Sequence, residues 1–279
     1  MNYPLLQNYL AQLQQDFRHS QLSADSQGRV VGRFYHASLS SVYQPIRHAS
    51  DLSIHAYEAS TRGHSGAQGL LVERLLEQSA SDEESIELDR LSRLIHTLNF
   101  FRQNPPQTTR LILNVHKRLL AAVESGHGRA FLRILQVLGV PQQQVVLQLP
   151  AISASQTWVL QHVADNYQRN GFQVALQAHN LAQAHEFLSK LRPAWLVLPA
   201  HALTTPDLAG LSALLAYSQQ QQSQVLINAI NDQASWDKLR VLAEQNQALH
   251  LQGNLWDKIS SDLVPEHGLQ ADGQLQAVA

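Results

Sequence analysis

The sequence contains no cysteine among its 279 residues. Disulfides, thiolate metal ligands and thiol nucleophiles are therefore excluded, and such a composition fits a reducing compartment. An excess of positive charge is also lacking, since Lys and Arg total 20 against 22 Asp and Glu. Without a general positive field, we expect no broad affinity for nucleic acid or for an anionic membrane surface. Any bound anion would need a local site.

Long apolar runs are missing as well. The first residues, Met1 to Gln7, do not have the basic start and apolar core of a signal peptide, and no later stretch could span a bilayer. We therefore expect a soluble, cytoplasmic protein with no membrane span. Hydrophobic residues still make up 44% of the chain, which is enough for a continuous core.

The N-terminal segment carries apolar residues at helical spacing. Leu6, Leu10 and Leu13 follow Pro4 at intervals that predict an amphipathic helix. Two uses of its apolar face remain open, namely covering the bottom of a barrel or being exposed for dimerisation or docking. A polar, glycine-containing stretch over 23–32 is predicted to connect this helix to the rest of the chain.

Two extended segments come next, over 41–46 and 52–57, and a turn-like sequence between them predicts a hairpin. Short apolar runs then alternate with helical patterns. The predicted strands contain residues 111–113, 145–147, 174–176, 195–198, 225–227 and 250–251. The predicted helices cover 128–138, 155–170, 181–191, 206–218 and 234–245. This alternation indicates parallel βαβ units and favours a closed TIM-like (β/α)8 barrel over an open sheet, with functional side chains at the carboxyl ends of the strands.

These patterns divide the chain into three parts. Residues 1–30 form the N-terminal helix and connector, and residues 31–262 form the barrel. The remaining residues, 263–279, contain few apolar side chains and are predicted to be a flexible tail.

Five short motifs, in the same order and spacing, resemble the EAL family of cyclic di-GMP phosphodiesterases. They are Tyr43-Gln44-Pro45-Ile46, Tyr57-Glu58-Ala59-Ser60-Thr61-Arg62, Leu88-Asp89 at the opening of a helix, Leu113-Asn114-Val115 and Gln252-Gly253-Asn254-Leu255-Trp256. The resemblance extends over about residues 40–260 and implies a barrel of EAL type with an early antiparallel strand. It also implies a candidate cyclic di-GMP pocket, formed by Gln44, Glu58, Arg62, Asn114 and Gln252.

Other positions depart from the family's catalytic pattern. In the family, two divalent metals held by strand-end carboxylates hydrolyse the phosphodiester, with a lysine beside them. The matching positions here are vestigial, and they are Gln148, Gln177, Ala178, Val197, Asn228 and Asn231. The resemblance therefore implies a degenerate domain with no catalytic residue, no bound metal and no cofactor.

Three functions follow from the resemblance. The favoured one is a non-catalytic bacterial regulatory protein that acts by binding another protein and could form a homodimer. The alternative is a receptor that binds cyclic di-GMP without cleaving it, and an active phosphodiesterase is the least supported. Within the candidate pocket, Arg62 either contacts a phosphate or forms an ion pair with Glu58.

The 14 histidines raise a separate metal hypothesis. His179 and His185 lie nearest the altered strand ends, but a spacing of six residues does not place them on one helical face. We therefore predict no zinc site there. The tryptophans, Trp158 and Trp195 among them, are expected to be core or helix-packing residues.

Overall fold

The structure, a computed structural model, describes residues 3–15, 21–65, 68–71, 81–121, 127–153, 156–203, 208–243, 246 and 248–264. Most of the predicted tail, residues 265–279, lies outside this set. The helices that fall within it include none with the length and apolarity needed to cross a membrane.

Eight strands close into a barrel at the centre of the fold. The strands of the described chain are β1 (Leu22–Ala24), β2 (Val30–Phe34), β3 (Ala37–His48), β4 (Ile54–Ser65), β5 (Gln68–Leu71), β6 (Arg110–Asn114), β7 (Val145–Leu149), β8 (Gln173–Gln177), β9 (Trp195–Pro199), β10 (Gln224–Asn228) and β11 (Leu249–Leu251). The barrel order is β3-β4-β6-β7-β8-β9-β10-β11, and β11 pairs back onto β3. β3 runs antiparallel to both of its barrel neighbours, whereas the other barrel pairs are parallel. The predicted EAL-type barrel with one early antiparallel strand is confirmed.

Helices surround the barrel. They are α1 (Pro4–Gln15), α2 (Asp82–Phe101), α3 (Lys117–Ala121), α4 (His127–Leu138), α5 (Thr157–Arg169), α6 (Leu181–Lys190), α7 (Leu208–Gln220) and α8 (Gln233–Ala243), with short 3-10 turns at Gln142–Gln144 and Ala200–Ala202. Because the parallel strands are buried on both faces, their sequences read as continuous apolar runs. This explains why strand and helix positions were predictable from hydrophobic patterns.

Alternate residues of each strand point into the barrel. The interior layer contains Ile46, Ala56, Ile112, Val146, Ala175, Trp195, Val197 and Leu226. All of these side chains are 0–1% exposed, so the barrel is filled rather than hollow. The residue two positions further along a strand points the same way, which fixes the polar layer described below.

The N-terminal helix α1 packs against the chain with its apolar face. Tyr3, Leu6 and Leu13 are buried. The Tyr3 hydroxyl donates to Gln144 Oε1 at 2.8 Å, and its ring meets Phe101 edge-on at 5.0 Å. Gln144 directly precedes β7, so α1 covers the side of the fold near the amino ends of the strands. Of the two uses considered for this helix, covering the barrel is the one observed.

Two local predictions differ from the structure. The stretch over 23–32 is not only a connector, because β1 and β2 form a hairpin that extends onto β3 through the pair Gly32 and Leu39. The helix that contains Leu88-Asp89 begins earlier, at Asp82. Ser81 caps it, accepting from the Glu84 backbone N–H while the Glu84 carboxylate binds the Ser81 N–H.

Trp158 also differs from its prediction as a packed residue, since it is 72% exposed. It lies on the first turn of α5, whose buried residues are Leu160, Val163, Ala164 and Tyr167. That face turns Trp158 towards solvent. Trp195, by contrast, fills the barrel interior as expected.

Candidate functional site

The carboxyl ends of the barrel strands carry a layer of polar side chains. Glu58, Asn114 and Gln148 each stand two residues beyond an interior apolar residue, namely Ala56, Ile112 and Val146. Two-residue periodicity therefore directs them into the barrel, one layer nearer its open end. This open end is called the mouth below.

Four of these side chains form one hydrogen-bonded group, the mouth ring, which consists of Glu58, Asn114, Gln148 and Gln252. Glu58 Oε1 accepts from Asn114 Nδ2 at 2.8 Å and, more weakly, from Gln148 Nε2 at 3.5 Å. Glu58 Oε2 accepts from Gln252 Nε2 at 2.9 Å. A further bond runs from Gln148 Nε2 to Asn114 Oδ1 at 2.8 Å. Both carboxylate oxygens are thus satisfied by amide N–H groups of the protein.

Two amide oxygens at the mouth have no such partner. Gln148 Oε1 and Asn228 Oδ1 are buried and accept no hydrogen bond from the described residues. Asn231 behaves differently, because its Oδ1 accepts from the Asn254 backbone N–H at 3.1 Å. The amides of Gln148 and Asn231 therefore form part of a hydrogen-bonded rim.

Gln44 lies at the rim but bonds away from Glu58. Its Nε2 donates to Asn254 Oδ1 at 3.1 Å and to the Asp257 carbonyl at 2.9 Å. Asp257 itself holds Arg47 through two bonds of 2.7 and 2.8 Å. Gln44 thus fastens the segment after β11 to the barrel.

Arg62 lies apart from the other four candidate pocket residues. β4 pairs with β6 only from Ala56 to Ala59, and beyond that point Arg62 pairs with Leu71 of β5. Its side chain is exposed and lines a separate cavity of about 210 Å³ together with His64. Among the described residues no ion pair joins Arg62 to Glu58, because Arg62 lies four positions further along an extended strand.

The remaining positions that the resemblance implied to be vestigial hold no charge. Val197 belongs to the apolar interior layer, and Ala178 is 1% exposed, with its N–H donating to the Val197 carbonyl at 2.9 Å. Gln177 lines the main cavity of the mouth. The barrel interior is therefore apolar at Val197 and Ala178.

A cavity of about 340 Å³ opens between the mouth and α2. Ser60, Asn114 and Gln177 line its barrel side, and Asp89, Arg93 and His96 line its helix side. Arg93 is only 2% exposed, forms an ion pair with Asp89, and lies 5.2 Å from the centre of the Phe131 ring. This buried pair was not predicted from the sequence, although the four-residue spacing of acid and base on a helix was a usable signal.

His96 is a neutral wall of this cavity. Its Nδ1 lies 2.9 Å from Ser41 Oγ and its Nε2 lies 3.0 Å from Thr61 Oγ1. Burial lowers the pKa of His96 to about 3, because a charged imidazolium would lose its hydration there.

The family comparison bears directly on this barrel. The model of the EAL domain family matches residues 32–258. This chain belongs to the EAL domain family. No curated protein matches its sequence.

Solved structures share the fold of this EAL domain. A Bacillus subtilis YkuI structure with an EAL domain, in complex with cyclic di-GMP and calcium, is 17% identical, with a TM-score of 0.64 over 81% of this chain and 57% of that one. The Xanthomonas citri FimX EAL domain, in complex with cyclic di-GMP, is 15% identical, with a TM-score of 0.64 over 81% of this chain and 90% of that one. A manganese and cyclic di-GMP complex of Klebsiella pneumoniae BlrP1 is 15% identical, with a TM-score of 0.63 over 80% of this chain and 56% of that one. This chain therefore spans little more than half the length of YkuI and BlrP1.

The side chains at the mouth of this EAL domain do not provide the ligands that two divalent cations require. Such hard cations need several carboxylate oxygens, and the mouth ring offers one carboxylate whose oxygens already accept amide N–H groups. Within the described residues, a group of three histidine or acidic side chains suited to an ion occurs once, at His48, His55 and His250. That group lies at the opposite end of the barrel.

The histidines expected to be the best metal candidates do not form a site in the described chain. His179 follows β8, whereas His185 lies on α6 and stacks on Tyr217 at 6.2 Å. The group at the opposite end was missed because its members are distant in sequence and become neighbours only when β11 closes onto β3.

Proposed function

We propose that this EAL domain is a non-hydrolysing regulatory module that acts by binding a protein partner. The observation that carries the proposal is the state of Glu58, whose carboxylate is held by amide donors from Asn114, Gln148 and Gln252. A carboxylate that serves a metal needs a free lone pair directed at the ion. Here Oε1 accepts from two amide N–H groups and Oε2 accepts from one.

Charge supports the same conclusion. Two divalent cations bring four positive charges, and the mouth ring contributes one negative charge with three neutral amides. Val197 stands at the position of the family's catalytic lysine and is fully buried in the apolar layer. Hydrolysis would therefore lack its metals and its lysine together.

A binding role remains for a barrel whose mouth ring is held by its own hydrogen bonds. Gln44 and Gln252, which the resemblance assigned to a nucleotide, instead bond to the chain. Trp158, 72% exposed on the first turn of α5, offers an aromatic surface of the kind enriched in protein interfaces.

A second function, a cyclic di-GMP receptor, is favoured by one feature of the mouth. The cavity of about 340 Å³ has Lys117 and Asn114 among its lining residues, so a cation and an amide face open space. The YkuI and FimX structures contain cyclic di-GMP. Arg62 lines a separate cavity, where its exposed guanidinium suits phosphate oxygens.

Calorimetric titration with cyclic di-GMP separates the two functions. The protein-binding proposal predicts no saturable heat for the wild-type chain, and any weak heat should be equal in Arg62→Ala and in Arg133→Ala, an exposed arginine on α4. Saturable binding that is lost in Arg62→Ala and kept in Arg133→Ala would overturn the favoured proposal and establish the receptor. In either case we expect the nucleotide to remain intact in the presence of Mg²⁺ or Mn²⁺.

A further inference from the structure

Three histidines meet at the amino end of the barrel. His48 is the last residue of β3, His55 is the second residue of β4, and His250 is the central residue of β11. These strands are neighbours, and His48 and His250 are direct partners across the β3–β11 pair. One ring nitrogen from each histidine lies within 4.8 Å of the others. These three residues are called the histidine group.

The histidine group lies under the apolar interior. The ring of Trp195 lies 5.3 Å from that of His55 and 4.9 Å from that of His250. His250 is fully buried, whereas His48 and His55 are half-buried. Solvent reaches the group through a cavity of about 420 Å³ that is lined by His48, His55 and Arg110.

Hydrogen bonds assign the protons of two rings. Arg110 Nη1 lies 3.0 Å from His55 Nε2 and can only donate, so His55 Nε2 is the acceptor. Neutral His55 then carries its proton on Nδ1 and donates to His48 Nε2 at 2.9 Å. Arg110, His55 and His48 are thus linked by two consecutive hydrogen bonds.

The third ring has an unused lone pair. His250 Nδ1 faces the Ala248 carbonyl at 3.3 Å, which places its proton there. His250 Nε2 is buried and has no hydrogen-bond partner among the described residues. A buried acceptor without a donor costs stability, and a metal ion is a partner that would remove the cost.

We propose that His48, His55 and His250 form a binding site for a late first-row divalent cation such as Zn²⁺. Imidazole nitrogen is a preferred ligand for such ions, and three of them leave the fourth tetrahedral position for a water molecule. Zn–N bonds near 2.0–2.1 Å place ligand nitrogens about 3.3 Å apart. The separations here, from 2.9 Å to no more than 4.8 Å, bracket that spacing.

The protonation of the group suits a metal. Desolvation lowers the pKa of His48, and it lowers that of His55 to about 4 and that of His250 to about 2. All three rings are therefore neutral near pH 7, as metal ligands must be. Asp51 is near enough to His48 for its negative charge to oppose the lowering of that pKa, and it would partly balance an ion.

Arg110 competes with the ion. For His55 to coordinate through Nδ1, its proton must leave Nδ1 and a proton must occupy Nε2, which now accepts from Arg110. The guanidinium must therefore turn towards the neighbouring cavity when the metal binds. Removing it should strengthen binding, because both its charge and its hydrogen bond oppose the ion.

Calorimetry on the untagged full chain, freed of metal and titrated with zinc chloride, tests the site. We expect one zinc per chain, with affinity reduced by more than about 100-fold in His48→Ala and in His55→Ala. Losing a ligand should cost more affinity than losing a residue that only orients a ligand, which costs about 10–100-fold. Arg110→Gln should bind several-fold more tightly. His179→Ala with His185→Ala is the matched control and should bind like wild type.

Three results would overturn the site. These are no saturable zinc binding by the wild-type chain, binding that is unchanged in both single variants, or binding that is lost in the control. X-ray absorption of the zinc-loaded wild type needs no variant to fold. Three imidazole nitrogens around zinc would support the site, and fewer than two would exclude it.

Discussion

The two ends of the barrel use the same geometry for opposite chemistry. At the mouth, inward positions hold one carboxylate among amides, and hydrogen bonds satisfy both of its oxygens. At the amino end, inward positions hold three neutral imidazoles, and His250 Nε2 is left with no hydrogen-bond partner among the described residues. At the mouth the charged carboxylate is paired, and the buried atoms left without a partner among the described residues include two neutral amide oxygens, of Gln148 and Asn228.

This contrast shows that a barrel can keep its scaffold while the character of one layer changes. The amides of the mouth ring add no like charge beside Glu58, and they supply the N–H groups that bind its carboxylate. The layer below, closed by Trp195 and Val197, is apolar and separates the two ends. Changes at one end should therefore leave the other unaffected, which the following predictions test.

The largest effect is expected at the mouth, where Asp89 pairs with buried Arg93. Asp89→Asn leaves a buried cation without its counter-ion and should lower the free energy of unfolding by about 3–5 kcal/mol. Urea denaturation measures this. Glu186→Gln is the matched control, because Glu186 and Lys190 have the same spacing on an exposed helix face. Its effect should stay below about 1 kcal/mol. Equal effects of the two variants would contradict the account of the mouth.

Acid should destabilise the fold through His96. Burial lowers the pKa of His96 to about 3 in the folded chain, against 6.5 for an unburied histidine, so below pH 6.5 the unfolded chain binds a proton that the folded chain does not. Stability is lost as the pH falls from 6.5 towards 3, at about 1.4 kcal/mol per pH unit and so by roughly 3 kcal/mol at pH 4.5. In His96→Gln the free energy of unfolding should fall less steeply with falling pH, by about 1.4 kcal/mol per pH unit. An unchanged slope would mean that His96 is protonated in the folded state.

A smaller loss is expected from Glu58→Gln. The NH2 of the new amide would face the N–H donor of Asn114 or of Gln252, and two donors cannot bond to each other. A buried donor left unsatisfied in this way should lower the free energy of unfolding by about 1–3 kcal/mol. Chemical denaturation in metal-free buffer checks the sign. Increased stability would reveal a carboxylate under repulsion, as expected of an empty metal site, and would break the contrast between the two ends.

The smallest effect concerns the amino end. Tyr3→Phe removes the donor to Gln144 Oε1 and should cost about 1 kcal/mol, with no change in zinc affinity, since Tyr3 does not touch the histidine group. Thermal denaturation and the zinc titration give both values. A change in zinc affinity would show that α1 and the histidine group are coupled.

Short apolar runs separated by helical patterns made the fold predictable, because parallel strands such as β7 and β9 are buried on both faces and helices connect them. The orientation of single residues was less accessible. Trp158 fits an apolar helical pattern, but the neighbouring helix face carries Leu160 and Val163 into the core instead.

The candidate site was accessible in part. The order of motifs placed Glu58, Asn114, Gln148 and Gln252 at neighbouring strand ends, and the structure brings these four together. It could not be foreseen that Arg62 would pair with β5, beyond the barrel's own pairing. The histidine group depends on barrel closure between β3 and β11, which no local sequence pattern encodes.

Turnover of cyclic di-GMP is the measurement that tests the central claim most directly. The full chain, incubated with the nucleotide and saturating Mn²⁺ or Mg²⁺, is expected to give no linear product above the protein-free background, with Glu58→Ala giving the same result. Metal-dependent hydrolysis by the wild-type chain that disappears in Glu58→Ala would contradict the account, because it would require Glu58 to release its amide donors and hold a catalytic metal.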